Sequence, residues 1–128
     1  MSLILIVEDN EKNLKLVRDV LQVKGYETLE AGTGEEGLKI ARERMPALIL
    51  MDIQLPGMSG IEALKALRAA PATAGIPVIA ITASVMQQDR QQIMSAGFNG
   101  FIEKPINLRN FLDTVQRAMK ARTASSWN

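Results

Sequence analysis

"LILMDIQLPGMSG", residues 48–60, runs four apolar residues straight into an acid, Asp52, and then into a proline, two glycines and a serine. An ionised carboxylate is most costly where a buried run ends, because its water is stripped away. Aspartate favours turn starts, so Asp52 could simply open the turn. It lies too far upstream to cap the helix that begins near Gly60. If the acid is there for chemistry, other parts of the chain must meet it.

Working outward, "LILIV" (3–7), "ALILM" (47–51), "PVIAI" (77–81) and "GFI" (100–102) are apolar runs that hardly alternate. They suit strands buried on both faces of a parallel sheet. "YETLEA" (26–31) alternates and reads as an edge strand. Helical stretches separate these runs. Leu14, Val17, Val20 and Leu21 stripe a helix from Glu11 to Lys24, stopped by Gly25. A second spans Glu35 to Met45 and is stopped by Pro46, and a third spans Ile61 to Ala69 with Ile61, Leu64 and Leu67 inward. A fourth, Gln87 to Ala96, is mostly polar and relies on Ile93 and Met94. The fifth is capped by Asn107 and carries Leu108, Phe111, Leu112, Val115 and Met119 at helical spacing. Residues 1–122 then form one domain, and 123–128 read as a disordered C-terminal tail. Five β–α units predict an α/β fold: a five-stranded parallel sheet of order 2-1-3-4-5 flanked by five helices, doubly wound and flavodoxin-like.

Composition narrows the chemistry. A chain of 128 residues, 47% hydrophobic, suits one domain that buries about two-thirds of its unfolded surface. Without cysteine there is no disulfide or thiolate site, and without histidine no catalytic triad or imidazole ligand. A net charge of +1 suggests no nucleic-acid footprint. No apolar run approaches the ~20 residues of a membrane span, and "MSLILIVEDN" lacks the basic leader of a signal peptide. The expectation is a cytoplasmic protein with neither a membrane nor a nucleic-acid partner.

In such a sheet, sites form at the carboxyl ends of the strands. Strand one ends in Glu8-Asp9, strand three in Asp52, strand four in Thr82 and strand five near Lys104. The predicted order brings three acids, a hydroxyl and an ammonium into one cleft. Unit charges ~4 Å apart repel by about 4 kcal/mol at an effective dielectric of 20, so a proton or a divalent cation must relieve the acids. An all-oxygen cluster suits Mg²⁺. A cation and a lysine beside an aspartate make a phosphoryl site, with Asp52 as a carboxylate nucleophile and the Thr82 hydroxyl able to donate to a phosphoryl oxygen.

"LILIVEDN", "LILMDIQLPGMSG", "PVIAITA" and "GFIEKPI" resemble, in order and spacing, the four signature stretches of response-regulator receiver domains, over residues 3–120. The resemblance implies that Asp52 accepts phosphate from a histidine kinase or a histidine phosphotransfer protein in a two-component phosphorelay. It implies that Asp9 binds Mg²⁺ directly, Glu8 acts mostly through water, and the Gln54 backbone carbonyl completes the metal ligands with Asp52. Thr82 and Phe101 would be the switch pair, Lys104 the phosphate clamp, and Lys104–Pro105 a cis bond. Phe101 stands where many receivers carry tyrosine. No output domain is visible, so the chain resembles single-domain regulators that act on a protein target through the face of helix 4, strand 5 and helix 5. "VEDNEKN", "GYETLEA" and "LILMDIQLP" are similar to the DivK type, which controls cell division and polarity. Such a protein is a phosphoacceptor, at most with slow autodephosphorylation, rather than a turnover enzyme.

Other readings compete. The chain could be a receiver excised from a hybrid histidine kinase, or a pseudo-receiver that only binds proteins. A haloacid-dehalogenase-like phosphohydrolase also puts a nucleophilic aspartate after a buried strand, but needs a second acid two residues on, where this chain has Gln54. "GTGEEG" (32–37) matches the dinucleotide pattern, yet Glu35 and Glu36 occupy the helix start where a pyrophosphate would sit. Its glycines are expected to serve a loop and a helix start instead.

Overall fold

The computed structural model describes residues 2–83 and 87–127. The five apolar runs form β1 (Leu3–Val7), β2 (Glu27–Ala31), β3 (Leu48–Asp52), β4 (Val78–Thr82) and β5 (Gly100–Glu103). All neighbours pair in parallel, in the expected order β2-β1-β3-β4-β5. β3 and β4 each run one residue beyond their apolar stretch. The ladder pairs Asp52 with Ile81 and Thr82 with Glu103, which builds these polar residues into the sheet's carboxyl edge.

The helices are α1 (Glu11–Val23), α2 (Gly34–Arg44), α3 (Gly60–Ala69), α4 (Gln87–Ala96) and α5 (Leu108–Trp127). Asn10 caps α1 by accepting from the Lys12 and Asn13 N–H groups, and Ser59 and Glu62 form a reciprocal capping box on α3. α2 stops one residue before its expected end. Met45 turns left-handed, at φ 47°, because the residue before Pro46 is pushed out of the helical region.

Alternation along each strand sends successive side chains to opposite faces, and helices cover both. Leu5, Val7, Ile49, Met51, Val78 and Ala80 pack under α2, α3 and α4. Ile4, Ile6, Leu48, Leu50, Ile79 and Ile81 pack under α1 and α5. That two-sided burial is why these strands read as continuous apolar runs. Two expected anchors lie outside the core: Met94 is 47% exposed and Leu108 44% exposed. Ile93 alone of the α4 pair is buried, and α5 is held by Phe111 and Val115. The backbone of α5 is helical to Trp127; no proline or glycine interrupts "ARTASSW" (121–127), and its alanines favour helix. Asn128 lies outside the described residues. No helix among the described residues is long and apolar enough to cross a membrane.

Arg68, in the last turn of α3, ties the chain entering β4 and β5. It donates to the carbonyls of Ala74, Ile76 and Gly97 and to Asn99 Oδ1, at 2.6–3.1 Å. Two glycines permit close approaches near the sheet's carboxyl edge. A Cβ on Gly37 would lie 2.8 Å from Val7 Cγ2, and one on Gly60 would lie 2.3 Å from the Asp52 carbonyl oxygen. Gly60 also donates its N–H to Ile53 O at 3.0 Å, so the start of α3 presses on the backbone of Asp52. Gly60→Ala is therefore expected to cost at least the ~1–3 kcal/mol of overpacking, because backbone cannot yield as a side chain can. Gly32→Ala, where the new methyl meets nothing within 4 Å, should be nearly neutral. Urea unfolding of both variants checks this, and equal midpoints would contradict it.

Candidate functional site

The cleft lies on the carboxyl edge of the sheet. β1 delivers Glu8 and Asp9 just past Val7, and β3 delivers Asp52 on the adjacent strand. Lys104 follows β5, and its peptide bond to Pro105 is cis, as the resemblance implied. Lys104 N–H donates to Thr82 O at 2.8 Å, which fixes where its side chain leaves the backbone. From there Nζ reaches 3.0 Å from Asp52 Oδ2 and 3.0 Å from Glu8 Oε1. The other Asp52 oxygen, Oδ1, accepts the Gln54 N–H at 2.9 Å. The Asp52 carboxylate is thus held at both oxygens by groups from different segments.

Glu8 and Asp52 are almost wholly buried, 1% and 3% exposed, whereas Asp9 faces solvent. The Glu8 oxygens, despite the nearby ammonium, receive no well-aligned hydrogen bond among the described residues. Burial, and then the neighbouring Asp52, push the Glu8 carboxyl from 4.5 up to about 7; Lys104 only partly opposes them. Burial alone would pull the Lys104 ammonium down, but Asp52 and Glu8 outweigh it and hold Lys104 above its ordinary value. With its carboxyl pushed up to about 7, Glu8 is shifted toward the protonated form, which would relieve part of the charge excess expected from three acids and one lysine.

One ligand oxygen each from Glu8, Asp9 and Asp52 lies within 4.8 Å of the others. Oxygen donors only, two of them in a poorly hydrogen-bonded buried carboxylate, form a donor set that fits a small hard cation. Gln54 meets Asp52 through its N–H. Thr82 is buried at the end of β4, opposite Glu103, and Phe101 lies two residues before Glu103, half-buried and opposite Ala80. Glu8, Asp9, Asp52, Gln54, Thr82 and Lys104 thus fall at the carboxyl end of the sheet, and Phe101 lies further back along it, opposite the middle of β4.

Sequence reasoning did not single out Arg90, Glu103 or Gly60. Arg90 of α4 stands over the Phe101 ring and pairs with Glu103. A mostly polar helix gives no signal of which arginine turns toward the sheet. The "GTGEEG" stretch serves packing: Glu35 Oε1 accepts the Met58 N–H at 3.3 Å, bracing the loop after β3, and Gly34 and Gly37 let α2 lie close to Met58 and Val7.

Residues 4–116 match the response regulator receiver domain, and the chain belongs to that family. The polar-differentiation response regulator DivK of Brucella ovis is 47% identical over 113 residues, which are 88% of this chain and 92% of that one. DivK of Brucella melitensis matches to the same extent, 47% identity over 88% of this chain and 92% of its own. A CheY-like receiver domain protein from Methanospirillum hungatei has a TM-score of 0.89 at 29% identity, over 98% of both chains. The receiver domain of a Pseudomonas aeruginosa sensor histidine kinase, solved with a magnesium ion coordinated in its active-site cleft, has a TM-score of 0.86 at 31% identity, over 93% of this chain and 98% of that one. Membership of this family sets aside the phosphohydrolase reading.

The raised Glu8 value gives a signed pH dependence. A group whose folded-state pKa exceeds its unfolded value adds stability that is fully present below about 4.5 and lost as pH rises through about 7. Without divalent cations, the melting temperature should therefore fall more steeply between pH 5 and 8 in the wild type than in Glu8→Gln. Parallel profiles would contradict the burial of an ionisable Glu8.

Proposed function

We propose that this chain is a single-domain response regulator of a two-component phosphorelay, phosphorylated on Asp52 in a Mg²⁺-dependent reaction with a phosphohistidine donor. The observation that carries the reading is the Asp52 carboxylate, fixed by Lys104 Nζ at 3.0 Å and the Gln54 N–H at 2.9 Å, beside the Glu8 and Asp9 carboxylates. Similarity to the DivK proteins over 92% of their length supports a single-domain role in cell division or polarity.

Asp52 attacks phosphorus through a carboxylate oxygen. The new P–O bond forms as the P–N bond of the donor's phosphohistidine breaks, and the imidazole leaves with that electron pair. Glu8, Asp9, Asp52 and the Gln54 carbonyl would hold Mg²⁺, which supplies charge neutralisation for the phosphoryl oxygens. Lys104 transfers part of its ion pairing from Asp52 to the arriving phosphoryl group. Thr82, at the neighbouring strand end, donates its hydroxyl to a phosphoryl oxygen, and Phe101 turns into the space beside Ala80. A kinase or histidine phosphotransfer protein donates at the cleft, and the downstream protein binds the face of α4, β5 and α5. A groove of about 970 Å³ on that face is lined by Phe101, Glu103, Met94 and Arg117, so a turn of the Phe101 ring changes what a partner meets. A cytoplasmic location belongs to the same reading.

Intact-mass measurement after incubation with acetyl phosphate and Mg²⁺ should show one added phosphoryl group. Asp52→Asn and excess EDTA should each abolish it. Thr82→Ala should still be labelled, but its amide shifts in β5 and α4 on adding beryllofluoride should be much smaller than those of the wild type. Labelling of Asp52→Asn, or unchanged shifts in Thr82→Ala, would overturn the assignment of the respective residue.

A further inference from the structure

Arg90 reaches from α4 to the switch strand, outside the phosphoacceptor cleft. Its guanidinium carbon lies 5.4 Å from the centroid of the Phe101 ring, and the same group pairs with the Glu103 carboxylate. Phe101 and Glu103 are two residues apart on β5, so they share one face of the sheet and one planar guanidinium spans both. Arginine suits this double contact: its plane stacks on a ring while its edge forks toward a carboxylate. Cross-strand, Phe101 faces Ala80 and Glu103 faces Thr82. The contact therefore closes over the two β4 residues beside which a moving ring would travel.

We propose that Arg90 is a positioning residue that latches Phe101 in its resting place and so sets the threshold of the switch; this deepens, and rests on, the receiver reading above. Two features make the latch matter in this chain. α4 has Ile93 as its buried anchor while Gln91, Gln92 and Met94 are exposed, and the Arg90 contacts join α4 to β5. Phe101 also lacks the hydroxyl with which a tyrosine holds an outward position by hydrogen bonding, and the cation above its ring face supplies the missing polar contact. Without Arg90 the ring turns toward Ala80 more readily, with or without a phosphoryl group on Asp52. Exposed cation–π contacts and exposed ion pairs are each worth roughly a two- to fivefold bias, so the loss of both should raise the inward population about four- to twenty-five-fold.

The test uses the full chain labelled with ¹³C in its phenylalanine rings. The three phenylalanines provide an internal control, because Phe98 and Phe111 lie in the core. Without any phosphodonor, Arg90→Ala should move the Phe101 ring signal toward the position that the wild type adopts with beryllofluoride and Mg²⁺, leaving Phe98 and Phe111 in place. Arg90→Lys, which keeps the charge but loses the plane, should move it less, and Glu103→Gln should move it by an intermediate amount. Acetyl phosphate labelling of Arg90→Ala should be about four- to twenty-five-fold faster than that of the wild type. A Phe101 signal in Arg90→Ala that stays at the wild-type resting position, or moves away from the beryllofluoride position, overturns the latch. If the wild type accepts no phosphoryl group, the receiver reading fails by itself; the latch then stands or falls on whether Arg90→Ala displaces the Phe101 signal alone.

Discussion

Two carboxyl groups, Glu8 and Asp52, are buried side by side at the ends of adjacent strands with one ammonium between them. This arrangement is costly in an empty protein, because burial and mutual repulsion both oppose ionisation. Much of the surrounding structure can be understood as holding it in place. β1 and β3 pair in parallel, so their carboxyl ends arrive on the same edge. The Thr82 carbonyl fixes the backbone of Lys104, and Gly60 lets α3 close against the carbonyl of Asp52. The imbalance pushes the Glu8 carboxyl up to about 7, and the acidic cluster of Glu8, Asp9 and Asp52 could hold a cation.

The cost is placed where it can be used. A site relaxed by its own hydrogen bonds would have little to gain from a cation, whereas the Glu8 oxygens lack well-aligned partners among the described residues. The chemistry stays inside the cleft, while the Arg90, Phe101 and Glu103 contacts lie on the neighbouring face where α4 meets β5. Thr82, paired across the ladder with Glu103, lies in the sheet between the two regions.

Much of this was legible in the sequence, for reasons that differ by residue. The strands were readable because two-sided burial leaves unbroken apolar runs. Glu8, Asp9, Asp52, Thr82 and Lys104 were readable because each follows such a run, and a doubly wound sheet gathers strand ends. Met94 and Leu108 were misplaced because helical periodicity marks an apolar stripe without saying whether a neighbour covers it; both are exposed, Met94 in the groove beside β5. Arg68 and Arg90 stayed hidden because their partners are carbonyls, a ring and a carboxylate contributed by distant segments. Such contacts depend on register and side-chain direction, which composition does not carry. The proton on Glu8 was foreseen only as one of two ways of relieving the acids.

Burial beside Asp52 favours the protonated form of Glu8, and a cation held by Glu8, Asp9 and Asp52 would favour the ionised form. Calorimetric titration with Mg²⁺ at pH 6, in two buffers of different ionisation enthalpy, measures this directly. With the Glu8 carboxyl near 7, binding should release close to one proton per protein, and Glu8→Gln should release almost none. Binding with no proton release in the wild type, or equal release in both proteins, would contradict the account.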